Sequence, residues 1–462
     1  MFDHQRFAFL AILLLGCLLH PDIASASPSI TLSEKSGPPT SRILVSGRGF
    51  EPNVGVNIYF DTKDKALVVT NAKGAFHDAA IYTPRSAYPG KHWITALERN
   101  NDKGAQEAFL VETDWVDFHF DADGSRLNPY ENVLSAGTVG NLQPRWSYSI
   151  TQISSSPAVS DGIVYAATDY SGFFALDAKT GTEVWEHDIG DHVFSSPAVA
   201  KGMVYITSLD HNIYALNAKT GSKVWQYTTG YNVDSSPTVA DGVVYFGSDD
   251  LHVYALNAKT GAELWAFYTE QPVESSPAVV NGTVYVSSDA TLYALNAKTG
   301  APLWSYTPTC CSFESAPVEA DGIVYADQWD NGTIYAVNAA DGTFLWSYRT
   351  GGTLESSPAV AYGIVYVGSY DGNLYALNAK SGSLLWTFNT GSYIRSSSPT
   401  VANGVVYIGS SSGYLYALDA KTGVQLWDYP AGDLSLSTAV VTDGVVYTGS
   451  WDSAFQAFSL AR

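Results

Sequence analysis

Short apolar runs separated by polar turns follow one another along most of this chain, and no helical spacing of apolar positions is sustained after the first twenty residues. Residues 235–265 show the pattern. The runs VVYFGS and HVYALN are rich in β-branched and aromatic residues, and the turn-forming pair Asp241-Gly242 precedes them. A third run lies upstream and a fourth contains Trp265. The pattern predicts four antiparallel strands joined by tight turns.

This unit is repeated. The tryptophan of the fourth strand recurs every 39 to 42 residues, at Trp146, Trp185, Trp225, Trp265, Trp304, Trp346, Trp386 and Trp427. The paired apolar run recurs eight times, starting at Ile163, Met203, Val243, Thr283, Ile323, Ile364, Val405 and Val445. A period near 40 residues made of strands alone predicts an all-β fold, a β-propeller with one four-stranded blade per repeat.

The two ends of the repeat region are complementary. The last repeat contains three strands and lacks the tryptophan strand, whereas Trp146 precedes the first repeat without partners. We therefore expect residues 143–149 to complete the final blade and to remove the open edge of the sheet. This gives an eight-bladed propeller over residues 143–462.

The beginning of the chain has the features of a secretory signal. Residues 7–19 are apolar and follow Arg6, and small residues at 24–26 provide a cleavage site. We expect residues 1–26 to be a signal peptide and the protein to be exported, to a periplasmic or extracellular location. A lipid anchor on Cys17 is the alternative, because residues 14–17 resemble a lipobox.

Residues 27–114 contain seven short apolar runs separated by Gly-, Pro- and Asn-rich turns, which predicts a β-sandwich. The sequence VSGRGFEPN at residues 45–53 resembles bacterial immunoglobulin-like domains of the IPT/TIG type. Residues 115–142 form a connector. Asp121, Asp123 and Gly124 resemble part of a calcium loop, but the downstream Glu is missing and no helices flank it, so a structural turn is the preferred interpretation.

The formal net charge of −21 argues against nucleic acid or an anionic membrane surface as a direct partner. The chain contains no haem attachment motif of the C-x-x-C-H type, no Walker loop and no G-x-G-x-x-G motif. We expect a monomer that carries no haem.

Seven repeats contain the motif Ala-x-Asn/Asp-x-x-x-Gly-x-x-x-Trp, which ends at Trp185, Trp225, Trp265, Trp304, Trp346, Trp386 and Trp427. The motif resembles the tryptophan-docking motif of the quinoprotein (PQQ-type) propellers. That resemblance implies the propeller fold. It leaves the function open, because the superfamily includes PQQ-dependent alcohol dehydrogenases and also the non-catalytic propeller lipoprotein of the outer-membrane barrel-assembly machinery.

Cys310 and Cys311 are the sharpest departure from the repeat. Two adjacent cysteines in an exported protein are expected to be oxidised, and a disulfide between neighbours is strained. A similar pair in PQQ-dependent alcohol dehydrogenases lies against the quinone, so the resemblance implies a cofactor contact here. Trp329 reaches the same rim and could stack on a flat ligand. The alternative role of the cysteine pair is a rigid loop staple.

Acidic residues form a second departure. The positions three residues before each repeat proline, or its equivalent Ala439, are Ser154, Phe194, Asp234, Glu274, Glu314, Glu355, Ser396 and Leu436. Asp234, Glu274, Glu314 and Glu355 thus lie at the start of four successive inner strands and should converge on the axis. Four such acids raise one another's pKa or hold a cation such as calcium, unless they point into bulk solvent. Arg395 could neutralise part of the ring.

The loops between blades are too uniform for a covered cofactor site, since each tryptophan is followed by the next proline after 11 to 13 residues. No residue can be assigned a catalytic role. We therefore expect a binding or scaffold protein whose protein or small-molecule ligand lies at the rim of the blade-to-blade loops. A PQQ- and calcium-dependent dehydrogenase of alcohols or sugars is the alternative, and whether the chain is an enzyme stays open.

Overall fold

The computed structural model describes residues 27–101, 103–122, 124–150, 152–170, 172–308, 312–434, 436–452 and 454–461. The chain forms two compact units. The first contains the described residues up to Pro84 together with Gly90–Val111, and the second contains Arg85–Pro89 and the residues from Glu112 onward. No helix among the described residues is both long enough and apolar enough to cross a membrane.

The first unit consists of a three-stranded sheet in the order β1-β3-β6 and a five-stranded sheet in the order β2-β8-β7-β4-β5. Its strands are β1 (Ser29–Leu32), β2 (Ser36–Gly37), β3 (Arg42–Arg48), β4 (Gly55–Phe60), β5 (Lys63–Val69), β6 (Phe76–Tyr82), β7 (Gly90–Glu98) and β8 (Gly104–Val111). Alternate side chains of β4, namely Val56, Ile58 and Phe60, are buried, as expected where one face of a sheet covers a core. All seven apolar runs form strands. The immunoglobulin-like relationship stays a prediction.

The second unit begins with β9 (Leu127–Asn128), one turn of 3₁₀ helix at Val139–Asn141, and β10 (Leu142–Tyr148). The first four sheets, named sheets 1 to 4 in chain order, follow. They are β11 (Ala158–Ser160), β12 (Ile163–Ala167), β13 (Gly172–Asp177), β14 (Glu183–Asp188); β15 (Ala198–Ala200), β16 (Met203–Thr207), β17 (Asn212–Asn217), β18 (Lys223–Thr228); β19 (Thr238–Ala240), β20 (Val243–Ser248), β21 (His252–Asn257), β22 (Glu263–Tyr268); and β23 (Ala278–Val280), β24 (Thr283–Ser288), β25 (Thr291–Asn296), β26 (Pro302–Tyr306).

Sheets 5 to 8 have the same order. They are β27 (Val318–Ala320), β28 (Ile323–Gln328), β29 (Thr333–Asn338), β30 (Phe344–Arg349); β31 (Ala359–Ala361), β32 (Ile364–Gly368), β33 (Asn373–Asn378), β34 (Leu384–Asn389); β35 (Thr400–Ala402), β36 (Val405–Gly409), β37 (Tyr414–Asp419), β38 (Gln425–Pro430); and β39 (Val440–Thr442), β40 (Val445–Gly449), β41 (Phe455–Leu460). Neighbouring strands among β10 to β41 within each sheet are antiparallel.

Six of the repeated tryptophans link their sheet to the next sheet by a hydrogen bond from the indole N–H to a backbone carbonyl. Trp185 of sheet 1 donates its indole N–H to the carbonyl of Ala218 in sheet 2, over 2.9 Å. Gly221 lies against the same indole with φ +66°, and a Cβ there would come within 2.7 Å of the ring. The motif therefore needs glycine both for the left-handed backbone and for the close approach of the indole.

The sheets form a closed ring. β10 pairs antiparallel with β41 and becomes the fourth strand of sheet 8. A hydrophobic cluster then joins Tyr447 and Phe455 of sheet 8 to Val164 and Phe174 of sheet 1, and similar clusters join the other neighbouring sheets. A ring of radially packed four-stranded sheets is a β-propeller, so the predicted fold is confirmed.

The segment between residues 112 and 141 crosses the inner strands, which the sequence did not predict. Trp115 exchanges two backbone hydrogen bonds with Val159 of sheet 1, and further along Arg126 accepts one from Val401 of sheet 7. β9 continues this path as a parallel partner of β35. The inner strands surround the axis of a propeller, so residues 115–122 and 124–128, which we call the axial segment, occupy the central channel.

Candidate ligand-binding cavity

One cavity of about 730 Å³ lies where the loops before the inner strands converge. All eight aligned residues three positions before the repeat proline line it: Ser154, Phe194, Asp234, Glu274, Glu314, Glu355, Ser396 and Leu436. The convergence expected from the repeat is therefore present. Phe118 of the axial segment also lines this cavity. The cavity therefore meets the channel that the axial segment occupies at this side chain.

A belt of hydrogen bonds supports the cavity from the adjoining positions. The backbone N–H of Ser156 donates to Ser196 Oγ over 2.9 Å, and the same bond recurs from sheet to sheet until Thr438 donates back to Ser156 over 3.1 Å. Sheet 5 has Ala316 at this position, which offers no hydroxyl to its neighbour. The belt is therefore interrupted where the acidic residues lie.

Both carboxylate oxygens of Glu355 accept hydrogen bonds from neighbouring side chains. Its Oε1 accepts hydrogen bonds from Tyr370 at 2.8 Å and from the indole of Trp329 at 3.1 Å. Its Oε2 accepts from Arg395 and Ser396, each over 3.1 Å. Trp329 thus holds this carboxylate, and the indole that lines the cavity is that of Trp451. Arg395 neutralises one of the four acids, as the sequence suggested.

The other three acids are not compensated in this way. Burial raises the pKa of Asp234 to about 7, and the charges of Asp249 and Glu274 add to the shift. Burial likewise raises the pKa of Glu274, with Asp249 contributing. The buried Oδ1 of Asp234 has no hydrogen-bond partner among the described residues.

Glu314 lies in the most acidic surroundings. Burial raises its pKa to about 7, and four carboxylates add to the shift: Glu274, Glu355, Asp330 and Asp289. This part of the wall, formed by sheets 3 to 5, therefore gathers negative charge that the unfolded chain would spread through solvent.

The carboxylates do not form a ready metal site. Among the described residues, no group of three or more His, Cys, Asp or Glu side chains could hold a metal ion. The physical reason is that both oxygens of Glu355 are occupied by donors and the other three acids come from separate sheets. The predicted metal ligands share one cavity, but a metal held by all four is not preformed.

Cys310 and Cys311 lie outside the described residues. Their disulfide and their contact with a cofactor stay predictions.

Sequence reasoning missed Asp327 in sheet 5. The serine two positions before each repeat proline, or before its equivalent Ala439, is followed twelve residues later by Ala, Thr, Gly or Ser in the other sheets. In sheets 1 to 4 its hydroxyl is hydrogen-bonded to the backbone of that later residue. In sheet 5 it is Asp327, which is fully buried, and neither its oxygens nor Ser315 Oγ has a partner among the described residues. An acid at this repeat position was the signal that could have revealed it.

Arg126 of the axial segment faces this buried acid. Its guanidinium stacks 3.9 Å from the ring centre of Phe118 and is fully buried. Burial lowers its pKa to about 9, opposed by the charges of Asp117 and Asp327. Burial also raises the pKa of Asp327 well above its ordinary value, while Arg126 acts in the opposite direction. The charges of Arg126 in the axial segment and of Asp327 in sheet 5 thus influence each other's ionisation.

Comparison with known proteins gives matches over the propeller. Residues 135–235, 228–328 and 311–462 match the family model described as outer membrane protein assembly factor BamB. The quinoprotein ethanol dehydrogenase of Pseudomonas aeruginosa is 36% identical over 80 residues, which are 16% of this chain and 13% of that protein. The 1-butanol dehydrogenase (quinone) of Thauera butanivorans is 26% identical over 129 residues, 27% of this chain and 18% of that protein. The chain therefore matches less than a fifth of the length of either relative.

Solved structures give the same fold. The quinohemoprotein alcohol dehydrogenase of Comamonas testosteroni superposes with a TM-score of 0.66 and 18% identity, covering 76% of this chain and 81% of that one. BamB of Moraxella catarrhalis superposes with a TM-score of 0.60 and 18% identity, covering 69% of this chain and 99% of that one. The resemblance to quinoprotein-type propellers is confirmed. Because the sequence identities are 18%, the structural likeness shows the fold alone.

Proposed function

The chain belongs to the family of outer membrane protein assembly factor BamB, and from this premise we propose that it is an exported binding or scaffold protein. The observation that carries the proposal is the axial cavity. It is built from the loops of every sheet, and it meets the axial segment at Phe118. Three of its carboxylates have no compensating cation among the described residues. A concave polar site with convergent acceptors is typical of ligand recognition.

A PQQ- and calcium-dependent dehydrogenase of alcohols or sugars is the second candidate, because the curated relatives are quinoprotein dehydrogenases. The described residues do not fit that pair of groups. PQQ is an anionic quinone that carries carboxylates, and the wall with Asp234, Glu274 and Glu314 would repel it. Arg395 is already paired with Glu355, and among the described residues no group of three His, Cys, Asp or Glu side chains could hold a metal ion. We derive no catalytic step from these residues.

A single assay separates the two functions. The purified full chain is incubated with PQQ and calcium, and the reduction of an electron-accepting dye is followed with ethanol, butanol and glucose. The binding proposal expects no substrate-dependent reduction and no stabilisation by PQQ. Saturable reduction that requires both PQQ and calcium would contradict the proposal and establish the dehydrogenase.

A further inference from the structure

Carboxylates and aromatic side chains both line the cavity. Sheets 3 to 5 contribute Asp234, Glu274 and Glu314, and the aromatic side chains Phe194, Tyr393 and Trp451 come from the loops of sheets 2, 7 and 8. Two further carboxylates, Asp169 and Asp433, line the cavity from sheets 1 and 8, on the aromatic side. Phe194 and Tyr393 remain 44% and 46% exposed, although they lie at the entrance to the cavity.

Two of the aromatic rings stack on a neighbouring ring. His192 stacks on Phe194 with ring centres 6.0 Å apart and an angle of 17° between the planes. Tyr370 stacks on Tyr393 with ring centres 5.7 Å apart and an angle of 10°. Exposed aromatic rings beside carboxylates suit a ligand that has both a positive charge and apolar carbons.

A second and independent observation points into the same cavity. Ser315, which lines it, is 3% exposed, and its Oγ has no hydrogen-bond partner among the described residues. Its counterpart Ser275 in sheet 4 bonds to Ser287 at 2.7 and 2.9 Å. Ser315 and the Oδ1 of Asp234 therefore provide buried oxygen atoms that can accept hydrogen bonds from a ligand.

We propose that this cavity binds the ammonium or guanidinium group of an organic cation, with Asp234, Glu274 and Glu314 facing the charge and the aromatic side covering the attached carbons. The inference rests on the proposed binding function and names the class of ligand. A large cation with several N–H donors can bond to oxygens on separate sheets, which a small metal ion cannot do with the described residues as they lie.

Charge coupling gives the site a characteristic pH dependence. The groups that face the acids are themselves acids, apart from the neutralised pair of Glu355 and Arg395: Asp249, Asp289 and Asp330. Because burial and these neighbours raise the pKa of Asp234 and of Glu314 to about 7, the carboxylates are partly protonated below neutral pH. A bound cation favours their ionised form, so its affinity should increase between pH 6 and pH 8.

The test is calorimetric titration of the full chain at pH 6 and pH 8 with three probes: end-blocked tri-lysine, 1,5-diaminopentane and neutral glucose. The variant Glu274→Gln/Glu314→Gln removes two charges from the cavity. The control variant Asp241→Asn/Asp321→Asn also removes two charges, but from turns outside the cavity lining. Both positions have a left-handed backbone, and Asn281 and Asn403 occupy the equivalent turn positions of other sheets with the same backbone, so Asn is tolerated there.

We expect tri-lysine to bind at one site, more tightly at pH 8, and the cavity variant to weaken binding at least about tenfold while the control changes it less than about twofold. The cavity variant should melt at or above the wild-type temperature at pH 8, because repulsion is relieved, and this shows that it is folded. If tri-lysine and 1,5-diaminopentane bind with equal affinity, a small amine is sufficient as the ligand. If tri-lysine binds more tightly, the ligand is a basic peptide.

Binding of neither cation, or equal loss in the cavity and control variants, would overturn the inference. Tight binding of glucose without dependence on pH would also overturn it, while leaving the binding function intact. PQQ-dependent alcohol oxidation is the separate result that would remove the binding function itself.

Discussion

Replacing Asp234 by Asn isolates the electrostatic cost of the cavity. The folded carboxyl has a pKa of about 7, whereas its ordinary value is 3.8, so the folded state retains a proton that the unfolded state releases. The contribution of this protonated carboxyl to the free energy of unfolding is fully present below the ordinary pKa, and it is lost as the pH rises through 7. The wild type should therefore become less stable between pH 4 and pH 7, and Asp234→Asn should not show this part of the loss.

The expected magnitude follows from the shift. About 3 pKa units at 1.36 kcal/mol per unit amount to about 4 kcal/mol at pH 8, of which about 2 kcal/mol develops between pH 5 and pH 7. The Asn variant should consequently gain stability over the wild type by about 1 kcal/mol for each pH unit in this interval, and the gain should then level off.

Urea unfolding of both proteins at pH 5, 6, 7 and 8 measures the gain, with Asp241→Asn as the control that should show no such trend. A stability difference between Asp234→Asn and the wild type that is constant from pH 5 to pH 8 would refute the reasoning. The same conclusion would follow if the variant became relatively less stable at high pH.

Three further predictions concern the fold. Deletion of residues 1–150 removes β10 and should lower Tm relative to deletion of residues 1–141, which also lacks the axial segment but keeps β10; equal Tm values would contradict closure by β10. Arg126→Met and Asp327→Ser should together cost at least about 1 kcal/mol less than the sum of the single variants in urea unfolding, and simple additivity would show that the two are not coupled. If Cys310 and Cys311 form a disulfide, the unreduced chain should be about two daltons lighter than the reduced one, and two thiols that react without reductant would exclude the bond.

The repeat made the propeller predictable. Self-similarity near 40 residues places each tryptophan opposite the glycine turn of the next sheet, and Trp185 against Gly221 shows why both residues recur. The pairing of β10 with β41 was predictable for the same reason, because each end of the repeat region lacks what the other supplies. Aligning the repeats also brought Asp234, Glu274 and Glu314 to one position relative to the inner strands.

The interior of the channel was not predictable. The axial segment has no repeated pattern, so nothing in its sequence indicated that Trp115 and Arg126 would bond to inner strands. Side-chain direction was equally hidden. That Trp329 could stack on a flat ligand stays a prediction, and the sequence did not indicate that its N–H donates to Glu355.

The most direct measurement of the central claim is an experimental structure of the full chain with end-blocked tri-lysine at pH 8. The account predicts a lysine ammonium nitrogen within about 3 Å of carboxylate oxygens of Glu274 or Glu314, with its methylene groups beside Phe194 or Trp451. Tri-lysine bound elsewhere on the propeller, or a cavity filled by PQQ when the quinone and calcium are supplied together, would contradict it.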